Sequence, residues 1–343
     1  VILGHRRLVL AAEPRRDTGD PAGSAAGGCV VFFTRRADAE VSALERLLAL
    51  TGVPTRRVDA DALGPIQLDL ARPGVLRLGE DLVRPTACWT RRFWSSAMTD
   101  PRTAAGLLRR QSWLALVRQA RLLAPHDLPG PRLGLLEQLA GAAAAGVRVP
   151  ATIVTTAPAR AARLLPGDRV VVKTLGPHFV EPEPGTLDGA LPRILPREEL
   201  ADGDGPVPLV VQEYVPHLAE YRVYAIGGRL VAFEVRKPSP EAIWRDQDAV
   251  EVRRAGCPEQ VAGLVTGLAA RWRLGFGAFD VLLARDGAVL LEVNADGDWL
   301  WYEAKAGTRE VSRQVALAVR DLHLAAGGRI DRGGAGLPAL LGG

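Results

Sequence analysis

The chain has 343 residues, 48% of them hydrophobic, and a formal net charge of +4. That length exceeds one typical domain, so two or three units with substantial cores are expected. No apolar run is long enough to span a membrane, and no basic stripe interleaved with aromatics suits nucleic acid. Cys29, Cys88 and Cys257 are scattered and odd in number, with no CxxC or HExxH pattern. This argues against zinc and disulfide frameworks and makes a reducing cytoplasm the expected compartment. The opening VILGHRRLVLAA is too short and too soon charged to read as a signal peptide.

Taken in chain order, residues 1–28 end in a Pro/Gly/Ala-rich stretch and read as a flexible arm. An N-terminal α/β unit over 29–129 follows. It opens with the buried strand CVVFF (29–33), a helix with the inward stripe Val41, Leu44, Leu47 and Leu48, and a strand around Val53–Val58. This βαβ opening favours a parallel sheet. A long helix is expected from about Thr103 to Leu123, ending at Pro125.

A central unit spans 130–206. Leu133, Leu136, Leu139 and Ala143 form a helical stripe stopped by Gly146, followed by the strand VPATIVT (149–155). A short helix from Pro158 leads to DRVVVKTL (168–175), and residues 176–206 read as a mobile loop or hairpin. The third unit, 207–326, carries the strand LVVQEYV (209–215) and a hairpin over 221–235 that turns at Gly227-Gly228. A helix lined by Val261, Leu264, Val265, Leu268 and Trp272 comes next, and a closing helix runs from about Thr308 to Ala325. Residues 327–343 read as a disordered tail.

The helix at 261–272 leads into FGAFDVLLARDGAVLLEVNADG (276–297), two strands that turn back on each other and carry acids among apolar residues. A three-residue loop Arg285-Asp286-Gly287 sets Ala284 opposite Ala288 and therefore Asp280 opposite Glu292, with Asn294 on the same face. Two carboxylates about 5 Å apart in an apolar hairpin repel each other and are costly to desolvate. A hard cation such as Mg²⁺ relieves both costs, taking carboxylate and amide oxygens and leaving room for substrate phosphates. The alternative is a hairpin whose acids face water.

Of 43 basic residues only Lys173, Lys237 and Lys305 are lysine. Where arginine serves nearly everywhere, a remaining lysine is more often one that must be a compact point charge.

The order strand-Lys, lid, strand with Glu, acid-x-Arg strand, then Asp…Glu-x-Asn resembles the ATP-grasp superfamily of carboxylate–amine or carboxylate–alcohol ligases. Within it the chain is most similar to the graspetide macrocyclases, the microviridin-type maturases of ribosomal peptides. The segments carrying this closer likeness are ACWTRRF (87–93), AIWRD (242–246) and EVNADGDWLWYE (292–303). The resemblance implies an α/β (α+β) ATP-grasp fold preceded by a parallel-sheet N-terminal domain, with ATP and Mg²⁺ (or Mn²⁺) as cofactors.

It also implies roles residue by residue. Lys173 would reach the nucleotide phosphates, Gln212, Glu213, Tyr214 and Val215 would line the adenine, and Glu220 would hold the ribose. Arg222 would contact phosphate or acyl phosphate, and Asp280, Glu292 and Asn294 would hold Mg²⁺. Arg245 is a candidate for the transferring phosphoryl group, and Arg91 and Arg92 for gripping an acidic peptide side chain. Trp299 and Trp301 alternate on a strand and read as packing. Two positions depart from the superfamily pattern. Arg132 stands where many members carry a nucleotide-binding lysine at the start of the helix before the first central-unit strand, and Ala295 replaces the proline of EVNP.

The implied reaction activates a Glu or Asp side chain as an acyl phosphate and closes it onto a Thr/Ser hydroxyl or Lys amine of the same peptide. The expected partner is a ribosomal precursor peptide, leader and core, encoded nearby, with neither nucleic acid nor membrane involved; a homodimer is left open. Two alternatives stand beside this. One is a ligase adding a free amino acid or amine to a protein or small carboxylate, and the other is a catalytically silent nucleotide- or peptide-binding module.

Overall fold

A computed structural model describes residues 5–9, 28–69, 74–94, 103–176, 178–183, 186–200, 205–242 and 246–331. The N-terminal unit is built on a parallel sheet of four strands in the order β3 (Thr55–Asp59), β2 (Cys29–Thr34), β7 (Pro85–Thr90), β8 (His126–Leu128). The helix Ala39–Leu50 makes the crossover, capped by the Asp38 side chain, which accepts from the Val41 N–H. A meander of β4 (Ile66–Leu68), β5 (Leu76–Leu78) and β6 (Asp81–Val83), not anticipated from sequence, lies between β3 and β7. The long helix runs Ala104–Arg121 behind its Thr103 cap.

The central unit contributes the helix Leu135–Ala144 and an antiparallel sheet. Its order is β13 (Arg193–Pro196), β10 (Arg169–Thr174), β14 (Leu209–Glu213), β9 (Thr152–Thr155). Within the expected loop or hairpin of 176–206, β11 (Phe179–Glu183) and β12 (Thr186–Ala190) pair as an antiparallel hairpin. Residues His5–Val9, expected within the flexible arm, instead form β1, antiparallel to β12. The other described part of the arm is Gly28; residues 1–4 and 10–27 lie outside the described residues.

The C-terminal unit is a five-stranded antiparallel sheet of β17 (Glu251–Ala255), β16 (Arg229–Arg236), β15 (Ala219–Ile226), β18 (Phe276–Ala284) and β19 (Gly287–Asn294). Gly227 and Gly228, both at positive φ, close the β15–β16 hairpin. The helices Glu259–Arg271 and Glu310–Ala325 bury Val261, Val265 and Leu268, and Val311, Val315 and Val319. One core joins the first and last units: Phe32, Leu44 and Trp89 cluster with Tyr224, Phe276, Trp299 and Val315. Trp299 and Trp301 are not on a strand. Trp299 caps the helix Leu300–Ala306 and, fully buried, donates its indole N–H to Ser312 Oγ at 2.9 Å. Of the tail, Asp331 donates its backbone N–H to the Gly52 carbonyl, and residues 332–343 lie outside the described residues. Among the described residues no helix is long and apolar enough to cross a membrane.

Candidate active site

The register of the C-terminal sheet puts three functional side chains in one row, because residues paired across neighbouring strands share a face. Arg222 on β15 is opposite Asp280 on β18, and Asp280 is opposite Glu292 on β19. The route to that pairing differs from the expected one. The turn has two residues, Arg285 and Asp286, so Ala284 pairs with Gly287 and not Ala288. A β-bulge between the pairs Val281–Leu290 and Asp280–Glu292 leaves Leu291 as the extra residue and shifts the register by one, which brings the acids level.

Arg222 Nη1 donates to both Asp280 oxygens at 2.7 and 2.9 Å. Tyr224 and Tyr302 flank its guanidinium at 5.4 and 5.3 Å. Asn294 Nδ2 donates to Glu292 Oε1 at 2.9 Å and to Asp280 Oδ2 at 3.3 Å, so its carbonyl oxygen remains as a potential ligand. Lys173 reaches in from the central sheet: its Nζ lies 3.5 Å from Glu292 Oε2, with the side chain 10% exposed. The two sheets therefore meet across this cleft at a lysine and a carboxylate pair.

Burial, partly offset by Arg222 and reinforced by the charge of Glu292, pushes the Asp280 carboxyl up to about 6. Burial acts in the same direction on Glu292. There Lys173 foremost, with Asn294, His178 and Arg222, outweighs it and holds the carboxyl below its ordinary value. Two adjacent acids with divergent proton affinities mark a site where a cation changes the local charge balance. Among the described residues no group of three or more His, Cys, Asp or Glu side chains is placed to hold a metal ion by itself. A pair of carboxylates and one amide oxygen fits a hard cation that completes its shell with phosphate and water.

The residues expected at the nucleotide lie on β14, just beyond its end, and on β15. Gln212 is buried, with Nε2 donating to Thr152 Oγ1 at 2.9 Å. Glu213 Oε2 accepts from the Ala151 N–H at 3.1 Å, and the Tyr214 ring lies 4.7 Å from the Arg169 guanidinium. Val215 is buried against Leu282, Ala284 and Val289. Glu220 forms a 2.5 Å ion pair with Lys237, both side chains largely buried. Arg245 lies outside the described residues.

Two further residues, His178 and Gln138, carry no mark in the sequence, and Lys237 is marked without a partner. His178, hydrogen-bonded to Thr174 Oγ1 at 2.9 Å, feels both Glu292 and Lys173; burial, with Lys173, lowers its pKa against the pull of Glu292. Lys237 was flagged only by lysine scarcity, which gave it no partner. Gln138 was assigned no role, and it brackets Val293 with Nε2 donating to the carbonyl at 2.9 Å and Oε1 accepting from the N–H at 2.8 Å.

The turn Asp296–Asp298, just beyond Asn294, is gripped by three arginines from the earlier units. Arg91 is fully buried, and its Nε donates to Asp38 Oδ2 at 3.2 Å. Its Nη1 donates to the carbonyls of Asp296 and Gly297 at 2.8 and 3.1 Å, and its Nη2 to Asp298 Oδ1 at 2.8 Å. The guanidinium also stacks on Trp299 at 4.8 Å. With its donors taken up inside the protein, Arg91 has no face for a peptide carboxylate, and that expectation gives way to a structural tie. Arg92 donates to the same Asp298 oxygen but is one-third exposed. Arg132 Nη1 donates to Asp296 Oδ2 at 2.6 Å and Nη2 to the Thr90 carbonyl. The structure thus gathers Arg132 with this turn.

Two sheets closing on a Lys–carboxylate cleft behind a parallel N-terminal sheet define the ATP-grasp fold. No protein family and no curated protein matches the sequence at a significant level. Among solved structures the chain is similar to the ATP-grasp ligase PsnB complexed with a phosphomimetic variant of minimal precursor, Mg and ADP. That likeness has 18% identity and a TM-score of 0.69 over 86% of this chain and 98% of that one. It is similar to the macrocyclase MdnC of Microcystis aeruginosa MRC bound with precursor peptide MdnA, at 16% identity and a TM-score of 0.66 over 85% and 99%. D-alanyl-alanine synthetase A of Vibrio cholerae O1 matches at 14% identity with a TM-score of 0.56 over 88% and 99%. At these identities the likeness establishes the fold.

Proposed function

We propose that the chain is an ATP-dependent ligase that closes rings in a ribosomal precursor peptide. It would join a Glu or Asp side chain to a Thr/Ser hydroxyl or Lys amine. The observation that carries this is the cleft in which Lys173, Glu292, Asp280 and Asn294 converge from two sheets. Support for a peptide substrate comes from likeness along nearly the full length of PsnB and MdnC, both solved with precursor peptides. Unpaired Cys29, Cys88 and Cys257 suit a cytoplasmic setting.

In this reading Gln212, Glu213, Tyr214 and Val215 line the adenine, Glu220 takes the ribose, and Lys173 holds the phosphates. Asp280, Glu292 and the Asn294 carbonyl would hold Mg²⁺, which when bound would supply positive charge against the nucleotide phosphates. Arg222 would offset the charge that develops as a peptide carboxylate oxygen attacks the γ-phosphorus and ADP leaves, a role the resemblance also implies for Arg245. A hydroxyl or amine of the same peptide then attacks the acyl carbon, losing its proton as phosphate departs. The β11–β12 hairpin keeps water from the acyl phosphate.

The test is incubation with the precursor peptide encoded nearby, ATP and Mg²⁺. The peptide should lose about 18 Da per ring, since closure is an intramolecular condensation. The synthetase likeness favours a second reading, a ligase for a free amino acid. A mass gain matching an added amino acid would select it, and ADP formation with no change in the peptide would defeat both.

A further inference from the structure

Transfer of an activated acyl group to a hydroxyl requires a place for the hydroxyl proton to go. Most ionisable groups at the cleft cannot take it. In the proposed reading Asp280 and Glu292 give their oxygens to Mg²⁺, Lys173 is a cation, and Glu220 is paired with Lys237 at 2.5 Å. Burial pushes the hydroxyls of Tyr224 and Tyr302 up, so both stay protonated. His178 is different. It stands where β10, which carries Lys173, passes into β11, and its carbonyl accepts from the Ala190 N–H at the end of β12 at 2.9 Å. His178 is thereby fixed at the foot of the hairpin, close enough to Lys173 and Glu292 for both charges to act on its ring. The Thr174 hydroxyl assigns the tautomer. Its single proton goes to the Gly176 carbonyl at 3.2 Å, so Thr174 Oγ1 accepts from His178 Nδ1–H at 2.9 Å. Nε2 keeps its lone pair, and this atom has no hydrogen-bond partner among the described residues. Burial, aided by Lys173 against the pull of Glu292, lowers the imidazole pKa and keeps the ring neutral in neutral solution.

We propose that His178 is the general base of ring closure, with Nε2 taking the proton of an acceptor Thr or Ser hydroxyl. As the hydroxyl oxygen bonds to the acyl carbon, its proton passes to Nε2. The bond from the acyl carbon to the phosphate oxygen breaks, and phosphate leaves with that electron pair. The imidazolium then gives its proton to the departing phosphate, which restores the base. The Nδ1–H bond to Thr174 persists throughout and holds the ring in one orientation while it carries charge. A neutral amine attacks with its own lone pair and gains much less from a base. A positioned imidazole therefore suits the site to ester rings over amide rings, and the acceptor class is the hydroxyl of Thr or Ser.

This inference rests on the peptide-ligase reading, and hydroxylamine lets the two fail separately. Hydroxylamine attacks an acyl phosphate without help from a base and leaves a hydroxamate about 15 Da heavier than the parent acid. The full chain is incubated with the precursor peptide encoded nearby, ATP and Mg²⁺, with and without hydroxylamine. His178→Asn keeps an N–H donor for Thr174 and removes the Nε2 lone pair. It should form hydroxamate within about twofold of the wild type, while ring closure slows about a hundredfold or more, the usual worth of a general base. In His178→Gly, imidazole added to the buffer should restore part of the ring closure, which a role confined to holding the hairpin would not allow. Ring closure at the wild-type rate in His178→Asn overturns the proposal and leaves the ligase reading standing. An equal loss of hydroxamate and rings, with no rescue of His178→Gly by imidazole, also overturns it. Hydroxamate without rings in the wild type removes the base and keeps carboxylate activation, and neither product removes both.

Discussion

Gln138 holds Val293 by both ends of its amide, accepting from the backbone N–H at 2.8 Å and donating to the carbonyl at 2.9 Å. Val293 stands between Glu292 and Asn294 on β19, the edge strand of its sheet. The side chain does there what a further strand would do, satisfying backbone groups that burial would otherwise leave unpaired. It also explains why the helix Leu135–Ala144 turns Gln138, Leu139 and Ala142 inward and leaves Leu136 exposed, against the expected leucine stripe. The central unit therefore fixes the height of the strand that carries two of the three candidate metal ligands.

Replacing Gln138 by leucine keeps the volume and leaves both Val293 groups without a partner. The expected cost is about 2–4 kcal/mol, one desolvation penalty for each group. Chemical denaturation should show it, and the Mg²⁺ concentration for half-maximal ADP formation should rise with it. A variant with unchanged stability would mean that water replaces the amide at no cost.

Glu292→Gln keeps the shape of the opposed pair and removes one anionic charge, along with the partner of Lys173. Mg²⁺-dependent ADP formation should fall by about two orders of magnitude or more, the usual effect of deleting one preorganised electrostatic group. Circular dichroism should show the fold intact. ADP release at the wild-type rate would remove Glu292 from the metal site.

The acid pair was legible because alternation along two apolar strands forces charged residues to declare a face, and a register that keeps both inside puts them on the same one. The turn was not. Arg285-Asp286-Gly287 admits a two- or three-residue loop, and a bulge at Leu291, an apolar residue among apolar residues, leaves no sequence mark. Arg91 and Arg92 read alike as neighbours, and only Asp38, 53 positions away, shows which is drawn inside. Gln138 and His178 carry no sequence mark, and Lys237 no marked partner, for the same reason: their partners come together through tertiary contacts that local periodicity does not encode.

Lys173 lies almost buried with its ammonium 3.5 Å from Glu292. Arginine there would bring a wider planar group that needs more donors satisfied in the same space. Lys173→Arg should therefore raise KM for ATP and lower kcat nearly as much as Lys173→Met. Full activity in the arginine variant would show that position 173 needs only positive charge.

The divergent acids also set a pH dependence. Asp280 titrates at about 6, above its ordinary 3.8, so the metal-free native state binds this proton more tightly than the unfolded chain does. By linkage, its contribution to stability declines as pH rises from about 4 through about 6. A cation competes with that proton for the same carboxylate. Glu292, held below its ordinary value chiefly by Lys173, contributes with the opposite sign, its share being lost as pH falls through the lowered value. The rise in Tm on adding Mg²⁺ with ADP should accordingly be full at pH 7.5 and shrink as pH falls through about 6. Differential scanning fluorimetry between pH 5 and 8 tests this. A Mg²⁺-induced shift constant over that range would show that the cation does not take the Asp280 carboxylate.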